Sequence, residues 1–104
     1  MGKKNNKLEP NWDIVKPNMM KNAGTALNNA YQEYGRAITD FFSLSGFSTE
    51  DGKFYEYAGA RERIEQKAND FILQMQKCTT ILRVIRDDDK EAILAILNGE
   101  FFRE

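Results

Sequence analysis

The sequence predicts an all-α protein: a long antiparallel helical hairpin, with helices over about 18–45 and 50–86, and a short third helix, about 88–98, packed on its open end. Three observations predict this fold. Both prolines of the 104-residue chain, Pro10 and Pro17, lie near the N-terminus, so long helices can follow them without interruption. Apolar residues recur every three or four positions along two long stretches. A segment rich in turn-forming residues, 45–52, separates the two stretches.

The first helix is expected to begin near Pro17, whose missing N–H is tolerated in a first turn. Its apolar residues form a heptad seam, a line of positions spaced alternately three and four apart. The seam consists of Met20, Ala23, Leu27, Ala30, Tyr34, Ala37, Phe41 and Leu44. Three further residues widen it on one side, and we call them the outer stripe: Tyr31, Ile38 and Phe42. Gly24 and Gly35 each cost up to about 1 kcal/mol relative to alanine, so this helix depends on its packing.

The turn is expected to end the first helix at Gly46 and to start the second with Ser48 and Asp51 as capping residues. The second helix carries a longer seam with a single polar member, Arg61. Its members are Phe54, Tyr57, Arg61, Ile64, Ala68, Phe71, Met75, Cys78, Leu82 and Ile85. No strand is predicted anywhere in the chain.

The third helix is expected to begin at Asp88, with Glu91 reaching back to cap it, and to end at Asn98 and Gly99. Its apolar face would cover apolar positions that a two-helix hairpin leaves open, namely Ile72, Leu73, Ile81 and Val84. Residues 1–10 are expected to form a disordered tail, and residues 11–104 a single helical domain.

The register of the hairpin is a hypothesis. If the turn centres near Thr49, Leu27 faces Phe71 and Tyr34 faces Ile64. A shift of about one helical turn would change every pair of facing residues.

Composition excludes several classes of chemistry. The chain has no histidine, which removes the commonest general base and the Ser-His and Cys-His nucleophile pairs. The single cysteine, Cys78, forms neither an internal disulfide nor a structural zinc site, and is expected to be a small core residue in a reducing compartment. No glycine-rich phosphate loop is present. The acidic run at residues 87–91 is interpreted as a capped helix start. We therefore predict a non-enzymatic protein without cofactor or metal, and keep an enzyme built on carboxylates as the remote option.

Net charge and hydropathy indicate which classes of partner the protein is expected to bind. A net charge of −1 provides no general attraction to nucleic acid or to an anionic membrane. No stretch approaches the roughly 20 apolar residues of a membrane span. Nucleic-acid and membrane partners are therefore not expected, and a cytoplasmic location is predicted.

The main functional hypothesis concerns the aromatic residues at the turn. Six of the twelve aromatic residues of the chain lie between positions 41 and 57. Three of these, Phe42, Phe47 and Tyr55, are outside both seams, and exposed aromatic surface is typical of an interface. A protein partner is therefore expected at the turn. Self-association as a four-helix bundle would bury the outer stripe. The candidate partner-binding residues are Tyr31, Ile38, Phe42, Phe47 and Tyr55.

An alternative hypothesis starts from Arg61. An arginine at a seam position costs stability unless it is paired. The predicted register places it opposite Ala37, with Asp40 and Glu33 as partners, and an internal salt bridge is the favoured interpretation. Arginines beside tyrosines can instead bind a small anionic or nucleotide-like ligand. The residues for that function would be Tyr34, Arg36, Tyr57, Arg61 and Arg63.

Overall fold

The computed structural model of the protein describes residues 10–102 and confirms the helical hairpin. In chain order the elements are α1 (Trp12–Leu44), β1 (Gly46–Phe47), β2 (Phe54–Tyr55), α2 (Ala60–Arg86) and α3 (Lys90–Leu97). α1 packs against α2 in antiparallel orientation. α3 packs at the open end of the hairpin, as predicted. The predicted tail at residues 1–10 lies, apart from Pro10, outside the described residues.

α1 begins at Trp12 rather than near Pro17. Asn11 caps it: its Oδ1 accepts a hydrogen bond from the Asp13 amide at 3.2 Å, and its carbonyl accepts from the Val15 amide at 2.9 Å. Pro17 consequently lies inside the 33-residue helix. At the sixth position of the helix Pro17 removes one backbone hydrogen bond, and the helix nevertheless continues to Leu44.

The connection between α1 and α2 is an antiparallel strand pair, so the prediction that the chain has no strand is wrong. Gly46 pairs with Tyr55, and Phe47 pairs with Phe54. The two expected caps do form hydrogen bonds, but within the loop that joins the strands. Ser48 Oγ accepts from the Glu50 amide at 3.2 Å, and Asp51 Oδ1 accepts from the Lys53 amide at 3.0 Å. Such short side-chain bonds stabilise turns as readily as helix starts.

α2 begins at Ala60, about ten residues later than predicted, immediately after Gly59. Gly59 has φ +80°, a left-handed backbone conformation that ends the preceding extended segment and that side chains other than glycine's rarely adopt. The later start is accompanied by a shift of the facing pairs of about one to two helical turns. Tyr34 therefore stacks on Phe71 instead of facing Ile64, with ring centroids 6.0 Å apart.

The seam of α2 also changes at its start. Arg61 is not a seam residue, since 74% of its side chain is exposed, and Ala60 is buried in its place. Met75 and Leu82 are largely exposed as well, whereas Ile64 and Phe71 are partly buried. The predicted heptad is counted from Phe54, which assumes that the helix starts there, but α2 starts at Ala60.

The chain divides into two compact units, which we describe separately. The terminal unit comprises the described residues up to Gly24 and from Lys77 onwards, and the central unit comprises Thr25–Gln76. The terminal unit has a core of Met19, Val84 and Ile93. Partly buried apolar residues pack around this core: Trp12, Val15, Ile81, Ile85, Ala92 and Ile96. The expectation of a single domain over residues 11–104 stays a prediction.

Asp88 ends α2 rather than starting α3. Its φ of +55° is left-handed, and the amides of Asp88 and Asp89 donate to the carbonyls of Ile85 and Val84 at 3.1 Å each. This is the Schellman arrangement, in which glycine is the usual residue. The cap of α3 is Asp89, whose Oδ1 accepts from the Ala92 amide at 3.2 Å. The predicted cap was therefore placed one residue too early.

The Asp88 carboxylate forms an ion pair with Lys16 of α1. The hydrogen bond from Lys16 lowers the pKa of Asp88 below its ordinary value. The pair therefore contributes stability above the unfolded-state pKa of about 3.9, and this contribution disappears as the pH falls through the lower pKa of the folded state. We expect Asp88→Asn, which tolerates the left-handed backbone, to lower the melting temperature at neutral pH. The difference from the wild type should shrink below about pH 4.

Thermal unfolding followed by circular dichroism across this pH range measures the effect. Lys16→Met is the matched partner variant, and the double variant should be no less stable than Asp88→Asn alone. A melting-temperature difference that is the same at both ends of the pH range would show that the ion pair contributes nothing.

Candidate functional site

The candidate site is an exposed aromatic surface in the central unit. We define the aromatic surface as Phe41, Phe42, Phe47 and Phe54. Phe42 is 75% exposed and Phe47 is 69% exposed, which is unusual for phenylalanine. Phe54 is 46% exposed and Phe41 is partly buried, and the neighbouring Tyr55 is 55% exposed.

Four phenylalanine rings of this surface form a continuous series. Phe42 contacts Phe41 edge to face with centroids 5.6 Å apart, and Phe41 contacts Phe54 at 6.1 Å. Phe54 then contacts its cross-strand partner Phe47 at 5.3 Å. All three distances lie in the range of favourable aromatic pairs. The ring series links the end of α1 to both strands and so holds a strand pair that is too short to be stable alone.

Tyr55 packs over its cross-strand neighbour Gly46. A Cβ atom at position 46 would lie 3.4 Å from the Tyr55 hydroxyl oxygen and 3.6 Å from the ring carbon that bears it. Gly46 therefore lies in the strand pair rather than at the end of the helix as predicted, and a Cβ atom there would be in ordinary van der Waals contact with the ring. Tyr55 is oriented by this contact while more than half of its surface stays exposed.

The outer stripe runs along α1. Its residues are four or seven positions apart and so share one helix face. Tyr31 is 58% exposed, although its ring contacts Phe71 at 5.5 Å, and Ile38 is partly buried. Phe42 is the most exposed of the three and also belongs to the aromatic surface. The structure thus links Phe42 and Phe47 through one ring series. Tyr55 packs on Gly46 at the opposite face of the strand pair, and Tyr31 and Ile38 lie further along the helix.

Leu44 was assigned to the seam, yet it is 58% exposed. The same holds for Phe54 at the opposite end of the turn. The sequence signal for both exposures is their place at the turn end of a seam, where a turn replaces the facing helix.

A shallow cavity of about 430 Å³ adjoins Phe41. Its lining consists of Phe41, Arg61, Glu62, Ile64 and Glu65. Phe41 therefore connects the apolar ring series to a depression that carries two exposed glutamates.

The charged residues nearby divide into paired and unpaired groups. Arg61 Nε donates to both carboxylate oxygens of Glu56, at 2.8 and 3.1 Å. Arg63 Nη1 donates to Asp40 Oδ2 at 2.5 Å and to the Tyr57 hydroxyl at 3.4 Å. Each bond to a carboxylate raises the pKa of its arginine above the ordinary value.

Within residues 10–102, four acidic side chains around the aromatic surface have no ion-pair partner, and we call them the acidic rim: Glu50, Asp51, Glu62 and Glu65. Lys53 is the one basic residue of the same loop and likewise has no ion pair in the described chain. The acidic rim therefore gives this surface an excess of negative charge.

The five residues of the ligand-binding alternative do not form one cluster of free cations. Arg36 contacts Glu33 at 3.1 Å, and the other two arginines have the carboxylate partners given above. The expectation that Arg61 pairs with Asp40 or Glu33 is wrong, because Arg63 takes Asp40 and Lys67 lies 3.6 Å from Glu33. The change of register and the late start of α2 explain why Arg63, rather than Arg61, binds Asp40.

Residues 10–102 contain no group of potential metal ligands and no helix that could span a membrane. In that range no three His, Cys, Asp or Glu side chains are placed to share a metal ion. None of the helices there combines the length and apolar character needed to cross a bilayer. No protein-family model matches the chain, and neither a curated protein nor a solved structure shows significant similarity to it.

Proposed function

We propose that the protein is a non-enzymatic interaction module that binds another protein through its aromatic surface and associates with a second copy through the outer stripe. The observation that carries the proposal is the exposure of Phe42 and Phe47 at the two ends of one continuous ring series. Burying a side chain of this size on association contributes about 1.5–3 kcal/mol before the costs of binding. Two such anchors are typical of an interface centre.

The contacts inside the aromatic surface support this role. Rings held by neighbouring rings and by a strand pair lose little conformational freedom when a partner covers them. Binding by such a surface acts through occlusion or scaffolding of the partner and needs no reactive group. The single free cysteine is consistent with action in a reducing compartment, and we place the protein in the cytoplasm on that basis.

Self-association is the second part of the proposal. Tyr31 and Phe42 expose more than half of their surface on one face of α1. A second copy of α1 laid along this face would cover both residues and the intervening Ile38, as in a four-helix bundle. The proposed self-association interface lies within the central unit.

The test is the double variant Phe42→Asp with Phe47→Asp. We expect it to abolish capture of partner protein from a lysate of the source cells, since two carboxylates at the interface centre leave charges that the partner cannot solvate. Helix content measured by far-ultraviolet circular dichroism should stay unchanged, because both side chains are exposed. Light scattering should also show a smaller mass than for the wild type if Phe42 contributes to self-association.

A matched control is Ile14→Asp with Leu97→Asp, which changes two exposed apolar residues of the terminal unit by the same chemistry. This control should leave capture intact. Unchanged capture by the Phe42 and Phe47 variant would show that the aromatic surface is not the interface. The ligand-binding alternative stays a prediction, and thermal stabilisation by millimolar nucleotide that Arg63→Met removes would favour it.

A further inference from the structure

We infer that the partner segment recognised by the aromatic surface is a basic amphipathic helix. This inference rests on the proposed function and names the chemistry of the partner. It follows from three features of the central unit: an apolar ring series, an acidic rim around it, and the absence of free arginines near it in the described chain.

The charge around the aromatic surface selects the partner. Glu50 and Asp51 lie in the loop between the strands that carry Phe47 and Phe54, and Glu62 and Glu65 are exposed beside the cavity at Phe41. Arg61 and Arg63 are already bound by Glu56 and Asp40, although Arg61 also attracts Glu62 of the acidic rim. Lysines or arginines of a partner would complement the acidic rim and raise the association rate.

The rings themselves also favour basic side chains. Phe42 and Phe47 are each more than two-thirds exposed, and a lysine or arginine over an aromatic face gains about 0.5–1 kcal/mol at an exposed site. A partner with both aliphatic and basic side chains therefore satisfies the rings and the acidic rim together.

The length of the ring series fits a helix. The three centroid separations of 5.6, 6.1 and 5.3 Å put the outermost rings, Phe42 and Phe47, at most about 17 Å apart, which is about three helical turns. Apolar residues at helical spacings of three and four would reach successive rings along this distance. Basic residues on the flanks of the same helix would lie beside the acidic rim.

The same charges argue against the aromatic surface of a second copy as the occupant. Two such surfaces in contact would bring two acidic rims together, and like charges across an interface are unfavourable. The acidic rim likewise disfavours an anionic lipid surface. The two proposed interfaces share Phe42, so a second copy on the outer stripe and a basic helix on the aromatic surface would compete for this ring.

The experiment uses the full chain and three synthetic peptides of about 18 residues, or five helical turns. The first is an amphipathic helix of leucine and lysine, the second has glutamate in place of every lysine, and the third is a shuffled form of the first that lacks an apolar face. We expect fluorescence anisotropy to show binding of the first peptide at least about tenfold tighter than of either other peptide. Its affinity should fall as salt rises from about 0.05 to about 0.5 M, since screening weakens charge attraction. In nuclear magnetic resonance spectra, the amide signals of Gly46 and Gly52 should shift while that of Gly99 does not.

Matched variants separate local charge from net charge. Glu62→Gln with Glu65→Gln should weaken binding of the basic peptide about threefold to tenfold. Asp70→Asn with Glu100→Gln removes the same number of charges away from the aromatic surface and should leave the affinity unchanged. Equal effects of the two pairs, or equal binding of the basic and acidic peptides, would overturn the inference.

Two further outcomes are informative. Binding of the protein to neutral phosphatidylcholine vesicles, with no binding of the basic peptide, would overturn the inference in favour of a lipid surface. If no peptide binds while the Phe42 and Phe47 variant still abolishes capture from lysate, the partner class is wrong and the proposed function stands. If capture is also unchanged, both fail.

Discussion

Replacing Ile93 with alanine is expected to lower the free energy of unfolding by about 2–5 kcal/mol, the largest effect of any truncation in the described chain. Ile93 is the largest side chain that is completely buried, and it packs with Met19 of α1 and Val84 of α2 in the core of the terminal unit. Its removal would leave a cavity where three helices meet. A domain of this size has a total stability of about 5–15 kcal/mol, so the loss is a substantial share of it.

Urea unfolding followed by tryptophan fluorescence measures this effect. Trp12 is the one tryptophan of the chain, and it packs against the core that contains Ile93, so its emission reports on the terminal unit. The control is Leu94→Ala, which makes a similar truncation on the same helix at a residue that is 38% exposed. We expect a loss of about 1 kcal/mol there. Equal losses for the two variants would contradict the assignment of Ile93 to the core.

Replacing Ala37 with leucine is expected to lower the free energy of unfolding by about 1–3 kcal/mol through overpacking. Ala37 is completely buried. It lies about one turn from Glu33 and from Asp40, and these two residues contact Lys67 and Arg63 of α2. Ala37 therefore faces α2 at a position where a longer side chain would force the two helices apart.

The control for Ala37→Leu is Thr39→Leu, an exposed position of the same helix. Leucine has a higher helix propensity than threonine, so the control should be neutral or slightly stabilising. Urea unfolding followed by far-ultraviolet circular dichroism compares both variants with the wild type. Comparable stability of the Ala37 variant would show that the helices have room at this position.

Most of the helical architecture was predictable because it depends on local patterns. Seam residues such as Ala23, Tyr34 and Phe71 are at least partly buried, and Asn98 and Gly99 end α3 as expected. The errors lie at the ends of elements. Asn11 caps α1 earlier than Pro17 suggested, and Asp88, a residue with good capping chemistry, ends one helix instead of starting the next.

The sequence predicted which residues contribute to the candidate site, but not how they are arranged in space. Periodicity placed Phe42, Phe47 and Tyr55 outside the seams, and all three are exposed. It did not predict that Phe54 and Leu44 are exposed too. It also assigned Asp40 to the wrong arginine, since the choice between Arg61 and Arg63 depends on where α2 starts.

Sequence patterns alone predict an antiparallel helical hairpin with a third helix on its open end and a concentration of aromatic residues at the turn. Hydrophobic periodicity and the positions of proline and glycine act over a few residues, so a single sequence displays them. That residues 46–55 form a strand pair depends on contacts in the folded protein. The strand pair in turn sets the register of the hairpin and the composition of the aromatic surface. Local preferences hardly separate a helix from a strand in such a segment. The contacts of Phe47 with Phe54, and of Phe54 with Phe41 on α1, join residues distant in the chain and select the strand pair.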